Sequence, residues 1–115
     1  MKSIIIDDEA TARAIVAQLC GGVSGLEVIG EFPDAVKAQE FMTNTKVDLL
    51  FLDIHMPGFT GLDFIAEMEN PPKVILITSD KNAILDAYEF DAVVDYLVKP
   101  LNKARFEEAV LNATK

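Results

Sequence analysis

Short apolar runs alternate with stretches of helical periodicity along the whole of this chain, and that alternation limits the folds open to it. Residues 3–6 form a β-branched run that reads as a buried strand. Residues 9–20 follow with Ala12, Ile15, Val16 and Leu19 on one face, the stripe of an amphipathic helix, closed by Gly21-Gly22. Residues 26–31 read as a second strand. Pro33-Asp34 opens a second helix with Ala35, Ala38, Phe41 and Met42 inward. Residues 48–52 are a third strand, apolar enough to be covered on both faces. Pro57, Gly58 and Gly61 mark a loop, and Leu62, Ile65 and Met68 a third helix stopped by Pro71-Pro72. Lys73 to Thr78 is a fourth strand, residues 82–90 a fourth helix, and Val93 to Val98 a fifth strand that Lys99-Pro100 breaks. Phe106, Ala109, Val110 and Ala113 stripe a last helix. Five strands and five helices in alternation predict an α/β fold: a parallel sheet wrapped on both sides and joined by right-handed crossovers.

At 115 residues the chain is the size of one domain, and residues 1–115 are expected to form it. Half the residues are hydrophobic and a quarter charged, the balance of a globular protein. The longest apolar runs stop at aspartates well short of the ~18 residues of a membrane span. Asp7-Asp8-Glu9 arrives too early for a secretory signal. One cysteine, Cys20, reads as a buried small hydrophobe and makes no internal disulfide, which points to a reducing cytoplasm. Ten basic and nineteen acidic residues leave a net charge of −9. Such a surface repels phosphate backbones and anionic membranes, so neither nucleic acid nor membrane is an expected partner.

In an open α/β sheet, ligands bind beyond the carboxyl ends of the strands. Strand one ends in Asp7-Asp8, strand three in Asp53, strand four in Thr78-Ser79 and strand five in Lys99. Three carboxylates held together need a cationic partner. Mg²⁺ takes one or two carboxylates together with waters and phosphate oxygens. Lys99 can pair with an aspartate in the empty site and with a phosphoryl oxygen in the filled one. A threonine hydroxyl adds a donor. The set suits phosphoryl transfer, where cations and donors spread the charge of the transition state.

On these residues the chain resembles a response-regulator receiver domain of bacterial two-component signalling. The match runs from Asp7-Asp8-Glu9 through Asp53-Ile54-His55-Met56-Pro57-Gly58 with Gly61, then Thr78, then Tyr96 and Lys99-Pro100. The resemblance implies a flavodoxin-like, doubly wound five-stranded sheet of order 2-1-3-4-5 with five helices. It implies that Asp53 accepts a phosphoryl group from a sensor histidine kinase. Asp7, Asp8, Asp53 and the backbone carbonyl of His55 are implied to hold Mg²⁺, with Mn²⁺ as a substitute. Lys99 and Thr78 are implied to stabilise the phosphoryl group, Thr78 and Tyr96 to switch, and Pro100 to follow a cis bond. His55 and Asp80 lie where they can tune phosphoryl lifetime. The face read by partners is the fourth helix, fifth strand and fifth helix. Ala87-Tyr88-Glu89-Phe90 followed by Val94-Asp95-Tyr96-Leu97-Val98-Lys99-Pro100 is similar to receivers of LytTR-type regulators, which implies a separate DNA-binding output domain. Lys103 and Arg105 against Asp86, Glu89 and Asp91 suit a homodimer through that face.

Each residue also has an ordinary use. Asp7-Asp8-Glu9 can favour a helix start through the helix dipole, Asp53 can cap a loop, and Lys99 can be a surface lysine. Thr78 is common at a strand end, Tyr96 can simply pack, and His55 can be an exposed loop residue. Three other functions share parts of this pattern. A small Mg²⁺-dependent phosphatase of the haloacid-dehalogenase type needs Asp-x-Asp after its first strand, whereas Asp7 and Asp8 are adjacent. A flavin or nucleotide carrier needs a glycine-rich phosphate loop, and neither G-x-G-x-x-G nor G-x-x-x-x-G-K-[ST] occurs. A phosphorylation-independent interaction module usually loses the acidic pair or the lysine, and both are kept. The expectation is thus a signalling switch with weak self-phosphorylation and hydrolysis, not an enzyme in its own right.

Overall fold

The computed structural model describes the backbone of residues 1–56 and 60–115, with the side chains of 85–88 excepted. The expected loop at Pro57-Gly58 and the side chains of Asp86, Ala87 and Tyr88 therefore lie outside the described residues. The strands are β1 (Lys2–Ile6), β2 (Glu27–Phe32), β3 (Leu49–Asp53), β4 (Lys73–Thr78) and β5 (Val93–Val98). The helices are α1 (Ala10–Gly21), α2 (Ala35–Asn44), α3 (Gly61–Glu67) and α4 (Lys103–Ala113), with a 3-10 helix at Lys81–Glu89. All strand pairs are parallel, in the order β2-β1-β3-β4-β5. This is the expected doubly wound, flavodoxin-like sheet.

Period-two alternation divides each central strand between two cores. Ile4, Ile6, Leu50, Leu52, Val74 and Leu76 face Ala35 and Ala38 of α2 and Phe64 and Ile65 of α3. Ile5, Leu49, Phe51, Ile75, Ile77 and Leu97 face Val16 and Cys20 of α1 and Phe106, Ala109, Val110 and Ala113 of α4. Phe51 and Phe106 stack with ring centroids 5.3 Å apart. Fully burying one such aliphatic side chain contributes about 1.5–3 kcal/mol. The three central strands, apolar on both faces, therefore anchor the fold and fix where their carboxyl ends point. Edge strand β2 is only partly buried.

Two expectations need correction. The fourth connection is a 3-10 helix, so the described residues hold four α-helices. It opens with an i→i+3 bond from the Ala83 N–H to the Asp80 carbonyl, and the Asp80 carboxylate accepts the Asn82 N–H at 2.9 Å. Over nine residues the apolar spacing does not separate a period of 3.0 from 3.6. Ile15, expected inward, is 47% exposed. The buried face of α1 is instead centred on Val16 and Cys20. Strand and helix ends otherwise fall within about two residues of the expected ones, the usual latitude at element ends.

Local chemistry sets the helix starts near the strand ends. The Asp34 carboxylate accepts the Lys37 N–H at the start of α2. Thr60 and Asp63 form a reciprocal capping box on α3. Gly61 opens α3 against the end of β3, its N–H donating to the Ile54 carbonyl at 2.9 Å. A Cβ at Gly61 would stand 2.7 Å from the Asp53 carbonyl oxygen, so the close approach of α3 to Asp53 requires glycine.

Candidate functional site

The carboxyl ends of β1, β3 and β5 meet at one rim. Asp7 follows β1, Asp53 ends β3 and Lys99 follows β5. Asp7 and Asp53 are buried, whereas Asp8 is exposed. One carboxylate oxygen from each of Asp7, Asp8 and Asp53 lies within 4.8 Å of the others. Lys99 Nζ stands 3.4 Å from Asp7 Oδ2 and 4.0 Å from Asp53 Oδ2. The ammonium thus lies between the two buried aspartates, with Asp8 open to solvent beside them.

The backbone holds these side chains in place. Asp7 Oδ1 accepts the Glu9 N–H at 2.9 Å, and the Asp7 N–H donates to the Phe32 carbonyl at 3.1 Å. Asp53 Oδ1 accepts the His55 N–H at 3.1 Å. The Lys99 N–H donates to the Thr78 carbonyl at 2.8 Å, which keeps β5 in register with β4 up to the site. The Lys99–Pro100 peptide is cis, as expected.

Crowding shows in the electrostatics. Burial, and next the negative charge of Asp7, push the Asp53 carboxyl up to about 6, against the pull of Lys99 and the His55 N–H. One ammonium does not neutralise this cluster. Oxygen donors this close, carrying charge in excess of one cation, fit a hard divalent ion, and Asp7, Asp8 and Asp53 are the residues that can hold it.

The remaining expected residues surround this centre. Thr78 is fully buried, and its hydroxyl accepts the Asp80 N–H at 2.9 Å and donates to the Asp80 carbonyl at 3.2 Å. It is therefore turned to Asp80 rather than to the carboxylates. His55, Ser79 and Asp80 are exposed at the mouth. Tyr96 is half-buried against the α2–α3 core, with the Arg105 guanidinium 5.4 Å from its ring centroid.

The sequence reading missed two groups. Arg13 Nη1 donates to the Asp7 carbonyl at 2.6 Å. The signal was a cation one helical turn past an acidic strand end. The second group is a clamp between β5 and α4. Arg105 pairs with Asp95 through both guanidinium nitrogens, at 2.6 and 3.0 Å, and donates to the Tyr96 carbonyl at 2.8 Å. Asn112 Nδ2 donates to Asp95 at 2.8 Å. Burial raises the Asp95 carboxyl, but these hydrogen bonds outweigh it and hold Asp95 below the usual carboxylate range. The signal was a lone carboxylate inside an apolar strand.

The family model for the response regulator receiver domain matches residues 4–111. The chain belongs to the response regulator receiver domain family. Receiver domains are signalling modules of two-component systems rather than enzymes in the ordinary sense. The sensory transduction protein LytR of Staphylococcus haemolyticus is 36% identical over 113 residues, covering 96% of this chain and 44% of that protein. The transcriptional regulatory protein LytR of Staphylococcus aureus is 33% identical over 120 residues, covering 100% of this chain and 48% of that protein. This receiver domain thus spans about half the length of these curated relatives. The crystal structure of the response regulatory domain of MrkE from Klebsiella pneumoniae superposes with a TM-score of 0.87 at 31% identity, covering 99% of this chain and 95% of that one. The response regulator domain of Thermotoga maritima CheB shares the fold at a TM-score of 0.82 and 20% identity, covering 100% of this chain and 97% of that one. The resemblance to LytTR-type receivers, carried by residues 87–90 and 94–100 of the sequence, is consistent with these relatives. Among the described residues no helix is long and apolar enough to cross a membrane.

Proposed function

We propose that this chain, residues 1–115, is the phospho-acceptor domain of a two-component phosphorelay, with Asp53 as acceptor. The observation that carries the reading is the placement of Asp53 Oδ2 at 4.0 Å from the Lys99 ammonium, in a rim shared with Asp7 and Asp8. The donor is a phosphohistidine of a sensor kinase. An Asp53 carboxylate oxygen attacks phosphorus, the phosphorus–nitrogen bond breaks, and the departing imidazole nitrogen takes up a proton. Asp7, Asp8 and Asp53, together with the His55 carbonyl, would hold Mg²⁺, with Mn²⁺ as a substitute. The metal, when bound, neutralises charge on the transferring group. Lys99 exchanges its aspartate partners for a phosphoryl oxygen. Thr78 leaves Asp80 to donate to another, and Tyr96 follows the movement of Thr78. Each charge-assisted bond contributes roughly 1.5–3 kcal/mol. Moving a population from mostly off to mostly on takes about 5.5 kcal/mol, so a few such bonds that favour the active shape suffice. His55 and Asp80, at the mouth, tune how fast water reaches the aspartyl phosphate.

The face of residues 81–89, β5 and α4 carries the signal to an output, and the LytR relatives support a transcription-regulating output in the longer protein. A homodimer through this face would use Lys103, since Arg105 is already paired with Asp95 and Glu108 in its own chain. The domain itself binds neither nucleic acid nor membrane and works in the cytoplasm.

Intact-protein mass after incubation with acetyl phosphate tests this reading. One phosphoryl adduct that requires Mg²⁺ and is absent in Asp53→Asn is expected. An intact fold that takes no adduct under any condition would favour a phosphorylation-independent interaction module.

A further inference from the structure

We infer that Arg13 is a positioning residue for the acidic site: it pins the backbone that carries Asp7 and Asp8 without occupying a carboxylate oxygen. The inference rests on the reading of Asp7, Asp8 and Asp53 as a divalent-cation site. The Arg13 side chain is only 18% exposed although it lies on a surface helix. Its Nη1 donates to the Asp7 main-chain carbonyl at 2.6 Å, and its Nε lies 4.0 Å from Glu31 Oε1 on β2. It therefore bridges the loop after β1 to the neighbouring strand.

The choice of a main-chain partner makes this placement useful. Lys99 is the other cation at the rim, and it pairs directly with Asp7 and Asp53, where an incoming metal must compete with it. Arg13 instead bonds the main chain and takes no carboxylate oxygen of Asp7, Asp8 or Asp53. Among the described residues nothing bonds the Asp8 carboxylate, so its position follows from the backbone on either side. That backbone is tied at three points: the Asp7 N–H to Phe32, Asp7 Oδ1 to the Glu9 N–H, and the Asp7 carbonyl to Arg13. Of the three, only the tie to Arg13 is made by a side chain outside the loop, so a substitution there leaves the loop's own residues unchanged. Outer-shell partners of metal ligands commonly contribute 10–100-fold to metal affinity.

Calorimetric titration of the full chain with Mg²⁺ tests the inference, alongside thermal melting in excess chelator. Arg13→Ala is expected to bind Mg²⁺ about tenfold more weakly than wild type. Arg13→Lys, which keeps the charge but not the fork of donors, is expected to recover part of that loss. Glu31→Gln, which loosens the guanidinium without touching the loop, is expected to show a smaller loss. A residue that only docks α1 would lower the metal-free melting temperature and leave the Mg²⁺ dissociation constant of the folded protein unchanged. That result would overturn the inference and leave the cation site standing. Wild-type protein that binds no Mg²⁺ would overturn the site and the inference together. Should Arg13→Ala not fold, Arg13→Lys and Glu31→Gln carry the same comparison, and wild-type affinity in both counts against the positioning role.

Discussion

At the scale of single residues, Asp53 is held at a cost in stability. Its carboxyl sits at about 6 when folded against an ordinary 3.8, so the folded state binds the proton more tightly than the unfolded chain. The stabilisation from the protonated form is full below pH ~4 and is lost as pH rises through ~6. At about 1.4 kcal/mol per pKa unit the loss is on the order of 3 kcal/mol. Asp53→Asn carries no such titration. In metal-free buffer its stability advantage over wild type should grow by that amount between pH 4 and 6.5 and then level off. Urea melts across this range measure it, and a pH-independent difference would show that Asp53 is not where the charge is crowded. The acidic residues and Lys99 were legible in the sequence because each stands at the end of an apolar run. Arg13 was not, because its partner is a main-chain carbonyl, and a cation one turn into a helix is equally at home in solvent. The bond between Thr78 and Asp80 was hidden too, since a hydroxyl at a strand end has several local acceptors within reach.

At the scale of elements, the clamp between β5 and α4 is the most exposed to test. Arg105 is about one-third exposed and Asp95 one-tenth, so the pair lies between a surface bridge and a buried one. Arg105→Ala should cost about 1–3 kcal/mol at neutral pH, read from denaturant melts. The cost should shrink in acid, because the folded Asp95 carboxyl lies below its unfolded value and its stabilisation disappears as pH falls through that range. Glu108→Ala, which removes the more exposed partner of Arg105, should change stability by less than about 0.5 kcal/mol. Equal losses from the two variants would mean that Asp95 does not anchor the guanidinium. The strands were readable as elements because apolar residues on both faces leave few alternatives. The register shifts were not: Ser3/Ile4 against β2 and Val74/Ile75 against β5 arise where two strands meet, and neither strand alone encodes them. The 3-10 winding of Lys81–Glu89 was hidden for a related reason, being set by the turn at Asp80 rather than by the apolar stripe.

For the whole molecule, a net charge of −9 and a local cluster of carboxylates are separate electrostatic loads, and they respond differently to ions. Diffuse self-repulsion is screened by any salt over the Debye length, about 10 Å at 0.1 M. NaCl should therefore raise the melting temperature gradually and almost equally in wild type and Asp53→Asn. A site built for one divalent ion behaves as a binding equilibrium instead. At a free Mg²⁺ concentration one hundred times its dissociation constant, the gain is about 2.7 kcal/mol. For a domain of this size, 1 kcal/mol moves the melting temperature by roughly 4 °C or more. Mg²⁺ added over a fixed background of NaCl should then raise the melting temperature of wild type by about 10 °C along a saturating curve. Asp53→Asn should lose most of that gain, because one of the three converging carboxylates is gone. Thermal melts at constant ionic strength separate the two responses. Saturating stabilisation confined to the chain with all three aspartates would place the ion in the rim formed by β1, β3 and β5. Equal stabilisation of both proteins by Mg²⁺ and NaCl would mean that ions act only on the overall charge, and that the three carboxylates form no site.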